Sequence, residues 1–158
     1  MNLRRAFLGT LAAGSLLAAA FGCGDGLPDK VKFAAPPSAL LQGGVNVTFQ
    51  LAHADDEEMK VRFFVTNNSD QPMWVNRDGF ALRLPDGRIL MRRGSAHEPY
   101  LIQPGQGHNV WVAFGEKGLE MRTLQGASVI IGGVSYQNDP TPRVVGEIPL
   151  STAGPLDD

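Results

Sequence analysis

The sequence has one cysteine, Cys23, in 158 residues. A single thiol excludes an internal disulfide framework, so folding must rest on an apolar core. Basic residues are also scarce. Fourteen Lys and Arg against sixteen Asp and Glu give a net charge of −2 at pH 7. That balance is unlike the basic surface that displaces counterions from nucleic acid, so no nucleic-acid partner is expected. The three histidines, His53, His97 and His108, form no H-E-x-x-H or H-x-H pattern, and C-x-x-C is impossible. No zinc site is expected. G-x-S-x-G is missing, and Ser95 lies two residues from His97 with no evident third group, so no catalytic residue is assigned. Helical spacing is nearly absent. Only "EKGLEMRTLQG", bounded by Gly118 and Gly126, could bury a turn or two through Leu119, Met121 and Leu124.

The N-terminus carries the first positive signal. Arg4 and Arg5 precede an apolar, Ala/Leu-rich run over residues 6–22, too short for a comfortable membrane span. Residues 1–22 read as a secretory signal peptide, and its loss takes both arginines with it. Cys23 follows directly, in "AAAFGCGDGLPD". The thiol could be reactive, structural and unpaired, or a lipid acceptor. The segment resembles the lipobox of bacterial lipoproteins. Gly22 supplies the small residue before the cut, while Phe21 and Ala20 depart from the usual pattern. The resemblance implies a diacylglyceryl thioether on Cys23, with palmitate-type chains. Each buried methylene contributes about 0.8 kcal/mol, so two or three chains hold a domain at a membrane it does not span. The alternative is cleavage after Ala18-Ala19-Ala20, leaving a free thiol. "LRRAFLG" also resembles the twin-arginine export motif, with Leu3 and Gly9 as departures.

Residues 23–44 read as a flexible lipidated tether, rich in Gly, Pro and small residues, although "VKF" could form a short edge strand. From residue 45 the pattern turns to period two. Val45, Val47, Phe49 and Leu51 alternate with polar residues, and Met59, Val61, Phe63 and Val65 do the same. The acidic tetrad at residues 55–58 falls at the hairpin between these runs. "PDGR" and "QPGQ" predict tight turns with Gly87 and Gly105 at positive φ. Phe80, Leu82 and Leu84 share a face, as do Val110, Val112 and Phe114. About eight short strands with regular turn signals predict an antiparallel β-sandwich over residues 45–150, with a flexible tail at 151–158. Trp74, Trp111, Phe49, Phe63, Phe80 and Tyr136 are expected to fill its core.

"VRFFVTNNSDQPMWV", "FALRLPDGR" and "LIQPGQGHNVWVAFG" occur in that order. The series resembles the immunoglobulin-like domains of unknown function carried by bacterial lipoproteins. The likeness implies an immunoglobulin-like antiparallel sandwich of seven or eight strands. It makes Asn67, Gly87, Pro104 and Gly105 turn determinants and transfers no catalytic residue.

Other candidate sites are diffuse. The carboxylates of Asp55, Asp56, Glu57 and Glu58 could attract Ca²⁺ but lack the loop spacing of a calcium site. A charged hairpin that keeps an edge soluble is the simpler reading. Met73, Met91, His97, His108 and Met121 could serve Cu(I), yet none is paired in spacing. Arg83, Arg88, Arg92 and Arg93 make a basic cluster that could face anionic head groups or an acidic partner. Asn46-Val47-Thr48 and Asn67-Asn68-Ser69 match the glycosylation pattern and are read as chance. The expected function is a non-catalytic interaction module of the bacterial cell envelope, outside the cytoplasm. It is attached to the membrane through Cys23 and bound to another envelope protein, with no cofactor or metal. A small-ligand or copper carrier using His97 and His108 is the alternative, and an exported enzyme is a third.

Overall fold

The computed structural model describes residues 29–156. The expected signal peptide, Cys23 and the first residues of the expected tether lie outside the described residues, as do residues 157–158. The described chain is all-β and antiparallel. Its strands are β1 (Val31–Ala34), β2 (Ser38–Leu40), β3 (Val45–Ala54), β4 (Met59–Asn67) and β5 (Met73–Val75). They continue as β6 (Ala81–Arg83), β7 (Ile89–Met91), β8 (Tyr100–Ile102), β9 (Gly107–Phe114) and β10 (Ser128–Ile131). The last are β11 (Val134–Tyr136), β12 (Asp139–Arg143), β13 (Gly146–Pro149) and β14 (Ser151–Pro155).

One layer is the sheet β14-β1-β3-β4-β9, with β2 paired to β3. The other consists of two four-stranded sheets, β13-β10-β6-β7 and β12-β11-β5-β8. In chain order these two run into one another end to end, as β5 into β6 and β10 into β11. The break has a steric cause. Val75 pairs with Val134 and Ala81 with Ile130, so residues 76–80 oppose only residues 131–133. A 3-10 turn at Arg77–Gly79 takes up the excess, capped by the Asn76 side chain, which accepts from Asp78 N at 2.9 Å. There the two backbones nearly touch. A Cβ on Gly79 would fall 2.5 Å from Gly133 Cα, and one on Gly133, at φ +68°, would overlap Asn76 O. Only glycine fits this crossing. The break divides one expected strand into β10 and β11, and β1, β2, β8, β12 and β14 account for the rest of the fourteen strands where seven or eight were expected.

Alternation places the core. Met59, Val61, Phe63 and Val65 of β4 and Val110, Val112 and Phe114 of β9 meet Leu82, Val129, Ile131, Met73, Val75 and Val134 from the second layer. Phe80, Leu82 and Leu84 are all buried, as expected. In β3 a bulge between Phe49 and Leu51 shifts the phase. Val45 and Val47 are buried, then Ala52 and Ala54, while Phe49 and Leu51 are only half-buried. Two expected core residues are not core. Trp111 shares its strand with inward Val110 and Val112 and therefore points outward, 40% exposed, and Trp74 is half-buried.

The outer segments also differ from expectation. Part of the expected tether forms β1, which lies inside the sheet between β14 and β3, with Val31 and Phe33 buried. The expected tail supplies β14, which pairs with β1. An apolar residue at every second position of "VKF" buries two side chains, enough to order the segment.

The turn determinants behave as read. Gly87 and Gly105 take φ of 88° and 76°, and Gln106 N donates to Gln103 O at 3.0 Å. Asn67 ends β4 with its side chain fully buried. Its Nδ2 donates to Gln71 O at 2.8 Å and Ile102 O at 2.9 Å, while its Oδ1 accepts from Ser69 N at 2.9 Å and Ser69 Oγ at 2.6 Å. With every polar valence used and no exposure, it offers no surface for a glycan. The expected short helix at residues 116–126 is a single 3-10 turn at Met121–Thr123.

Candidate functional site

The basic cluster expected around Arg83 and Arg93 is dispersed by folding. Arg83 forks onto Glu147, its Nη2 2.5 Å from Oε1, and holds that carboxyl below its usual range with help from Ser128. Arg88 pairs with Asp86 at 2.8 Å and Glu116 at 2.7 Å. Arg92 is nearly buried, its guanidinium spent on Asp78, Ser95 O and Arg93 O. Only Arg93 keeps a side chain without a carboxylate. Its Nη1 donates to Glu57 O at 3.2 Å.

Arg92 fixes a strap. Residues 92–99 run from β7 to β8 along the outer edge of β9. At one end Arg93 N donates to Ala113 O at 2.7 Å. At the other, the Tyr100 ring lies 4.2 Å from that of His108. Asp78, on the 3-10 turn, accepts from Arg92 Nε at 2.6 Å and from His97 N at 3.2 Å. The Arg92 hydrogen bond, then that of His97, keeps the Asp78 carboxyl below its usual range. Asp78, His97 and Ser95 thus stand close together, but not as a relay. The carboxylate takes the backbone of His97, while the ring Nδ1 faces Glu98 O at 2.7 Å.

Between the strap and β9 lies a groove of about 250 Å³, lined by Lys60, Arg77, Arg93, Gly94, Ser95 and Trp111, among others. β9 is an edge strand. Its even-numbered frame faces β4, since Asn67 N donates to Gln106 O, while Ala113 O turns away to Arg93. By that alternation Asn109 and Trp111 direct their backbone groups to the free edge. Trp111 carries the Arg62 guanidinium over its ring, 4.7 Å from the centroid. Among the described residues, Arg62 Nε and Arg77 Nε are buried without a hydrogen-bond partner. Lys32, His53 and Lys60 follow one another across β1, β3 and β4 on the same outer face. Burial first, then Lys60 and Lys30, push the His53 imidazole below its usual range against the pull of Asp55 and Glu58. A chain of net negative charge therefore gathers cations on one sheet face.

Of this groove the sequence marked Arg92 and Arg93 as part of a basic cluster, and Ser95 and Trp111 only in other roles. Arg62 was visible as an outward residue of an amphipathic strand, whereas Trp111 was expected in the core, and their pairing depends on the register of β4 against β9. Arg77 comes from the other layer.

A larger cleft of about 490 Å³ lies at the hairpin end, lined by Asp56, Glu57, Glu116, Lys117 and Glu120, with Arg93 as its wall toward the groove. Two of its carboxylates are matched within the protein. Asp56 pairs with Arg122 and Glu116 with Arg88. Asp55 Oδ1 accepts from Glu57 N and Glu58 N at 2.9 Å, and Glu58 pairs with Lys60 at 2.8 Å. The four carboxylates of residues 55–58 do not converge, and no group of three or more potential ligands that could hold a metal ion occurs among the described residues. Met73 and Met121 are buried in the core, remote in role from the exposed Met91. His97 and His108 do come together, on either side of Tyr100, with ring centroids 5.2 and 4.2 Å away.

No family model and no curated protein matches the chain. Among solved structures, Northeast Structural Genomics Consortium target SoR45 aligns over 82% of this chain and 92% of its own, at 11% identity and a TM-score of 0.43. A functionally unknown protein from Listeria monocytogenes EGD-e aligns over 82% and 89%, at 10% identity and a TM-score of 0.45. Likeness at this level carries no argument about function.

Proposed function

We propose that this chain is a non-catalytic binding module of the bacterial cell envelope, anchored through Cys23 and holding an envelope protein at the edge of β9. The observation that carries the reading is the unpaired edge at Asn109 and Trp111, beside an exposed tryptophan and two guanidinium nitrogens without partners. Open strand edges are normally blunted, because they recruit other chains. Here the strap covers both ends of the edge and leaves its middle open. The lipobox-like segment supports placement at a membrane surface and stands apart from the sandwich argument.

Two experiments test the two halves. Palmitate labelling of the wild-type chain and of Cys23→Ala should mark only the former; equal labelling, or none, removes the anchor. A photo-crosslinking residue at position 111 should join one defined envelope protein, while the same residue at exposed position 141 on β12 should not. Identical crosslinks from both positions would contradict a site at β9.

A second reading draws on the His97–Tyr100–His108 stack, which could take a small planar ligand or a soft metal. Titration of the purified chain with Cu(I), read by the His97 and His108 ring resonances, should leave them unmoved if the module reading holds.

A further inference from the structure

We infer that the β9 groove takes an extended acidic segment of the partner, which adds as a strand beside Asn109 and Trp111 and sets its carboxylates on Arg62 and Arg77. This rests on the binding-module reading and specifies the chemistry of its partner. The edge supplies main-chain groups for strand addition, and alternate side-chain pockets supply selectivity. Successive residues of an added strand rise about 3.4 Å, with alternate side chains on the same face. One set would lie on the outer sheet face, where Arg62 stacks on Trp111. The other would enter the groove toward Arg77, Lys60 and Arg93.

Charge fixes the class of occupant. Arg77 Nε and Arg62 Nε are removed from water yet unbonded among the described residues. Burying such donors without an acceptor is costly, and a carboxylate is the acceptor that best matches the guanidinium fork. Arg92 is excluded from this role because Asp78 already holds it. Lys60 is already answered by Glu58, so the row of Lys32, His53 and Lys60 adds only a positive surround, and the two unbonded guanidinium nitrogens carry the charge argument. A planar bilayer could touch Lys32 and Lys60. It could not reach the edge amide of Trp111 or the buried nitrogen of Arg77, which lie beside the strap of residues 92–95. A narrow chain can.

The test uses the purified full chain carrying Trp74→Phe, so that Trp111 is the only tryptophan reporter. Its probes are acetyl-Val-Glu-Glu-Val-Glu-Glu amide, which presents carboxylates on both faces of an added strand, the same peptide with Gln or Lys for Glu, and phosphatidylglycerol vesicles. The acidic peptide should shift Trp111 fluorescence saturably, move the Asn109 and Trp111 amide resonances, and weaken with added salt. The Gln peptide should bind about tenfold less tightly, the loss of one charge-assisted hydrogen bond. Arg77→Gln should cause a similar loss. Arg77→Glu should reject the acidic peptide and gain the Lys peptide, a reversal that misfolding cannot produce. Equal binding of Glu and Gln peptides, or an unaffected Arg77→Gln, would overturn the acidic specificity. A response to vesicles alone would overturn it in favour of a lipid surface. If no peptide binds while the crosslink from position 111 persists, the chemistry proposed here falls and the module reading stands.

Discussion

Replacing Asn67 by Ala should remove a fully buried polar side chain that makes four hydrogen bonds. Its amide ties the end of β4 to two segments, through Gln71 O and Ile102 O, and shapes the following turn through Ser69. Not all four bonds count equally. Ser69 Oγ already reaches Gln71 O at 3.0 Å, and that turn is only part-buried, so its groups can recover partners. Ile102 O is buried and cannot. A buried acceptor left unsatisfied costs about 1–3 kcal/mol, and each lost neutral bond about 1 kcal/mol net. The sum is roughly 3 kcal/mol. For a domain of this size unfolding entropy is about 0.27 kcal/mol per degree, so Tm should fall by about 10 °C. Asn67→Asp refines the test. It keeps the acceptor toward Ser69 but turns an anionic oxygen toward the two carbonyls. Protonation then becomes favourable in the folded state, raising that carboxyl above its unfolded value. The native state binds the extra proton, so the variant should lose stability as pH rises from about 4 to 7. Calorimetry across that range is the assay. A Tm drop below about 3 °C for Asn67→Ala, or wild-type stability of Asn67→Asp at neutral pH, would refute the reasoning.

Other outcomes follow from the same geometry. Gly133→Ala should destabilise by more than about 3 kcal/mol, because both its positive φ and the overlap with Asn76 O oppose a side chain; chemical denaturation measures it. Asp78→Asn should release the strap, seen as faster proteolysis within residues 93–99 with the core transition unchanged. Since Arg92 holds the Asp78 carboxyl low, that part of the strap's stability is present above the ordinary carboxylate range and is lost as pH falls through the lowered value. His53 acts in the opposite region. Its depressed imidazole favours the neutral form, so stability should decline as pH falls through 6.5, and His53→Gln should flatten that decline in pH-dependent unfolding.

What the sequence made legible was local. Alternation identified the inward faces of β4, β6 and β9, and turn chemistry located the bends at Gly87 and Gly105. Three things escaped it. The bulge in β3 shifts the phase inside an unbroken apolar pattern, so Leu51 reads as core although Ala52 is buried. The end strands β1 and β14 are individually too weak to predict; β1 is held between β3 and β14, and β14 by β1. The Gly132-Gly133 pair carries no signal in its own stretch of sequence, because its meaning lies in Gly79 on another. The groove failed to show for the same reason. Lys60, Arg77, Arg93 and Trp111 belong to four separate stretches of chain, and three of the four arginines that did cluster in sequence were consumed by Glu147, Asp86, Glu116 and Asp78.

Amide hydrogen exchange along β9 of the full chain, with and without the acidic peptide, tests the edge directly. The amides of Asn109 and Trp111 should exchange quickly when the chain is alone and become protected when the peptide is present, while Val110 and Val112, bonded to β4, stay slow throughout. Protection of Asn109 and Trp111 in the isolated chain, or no change on adding peptide, would contradict an open edge that serves as the contact.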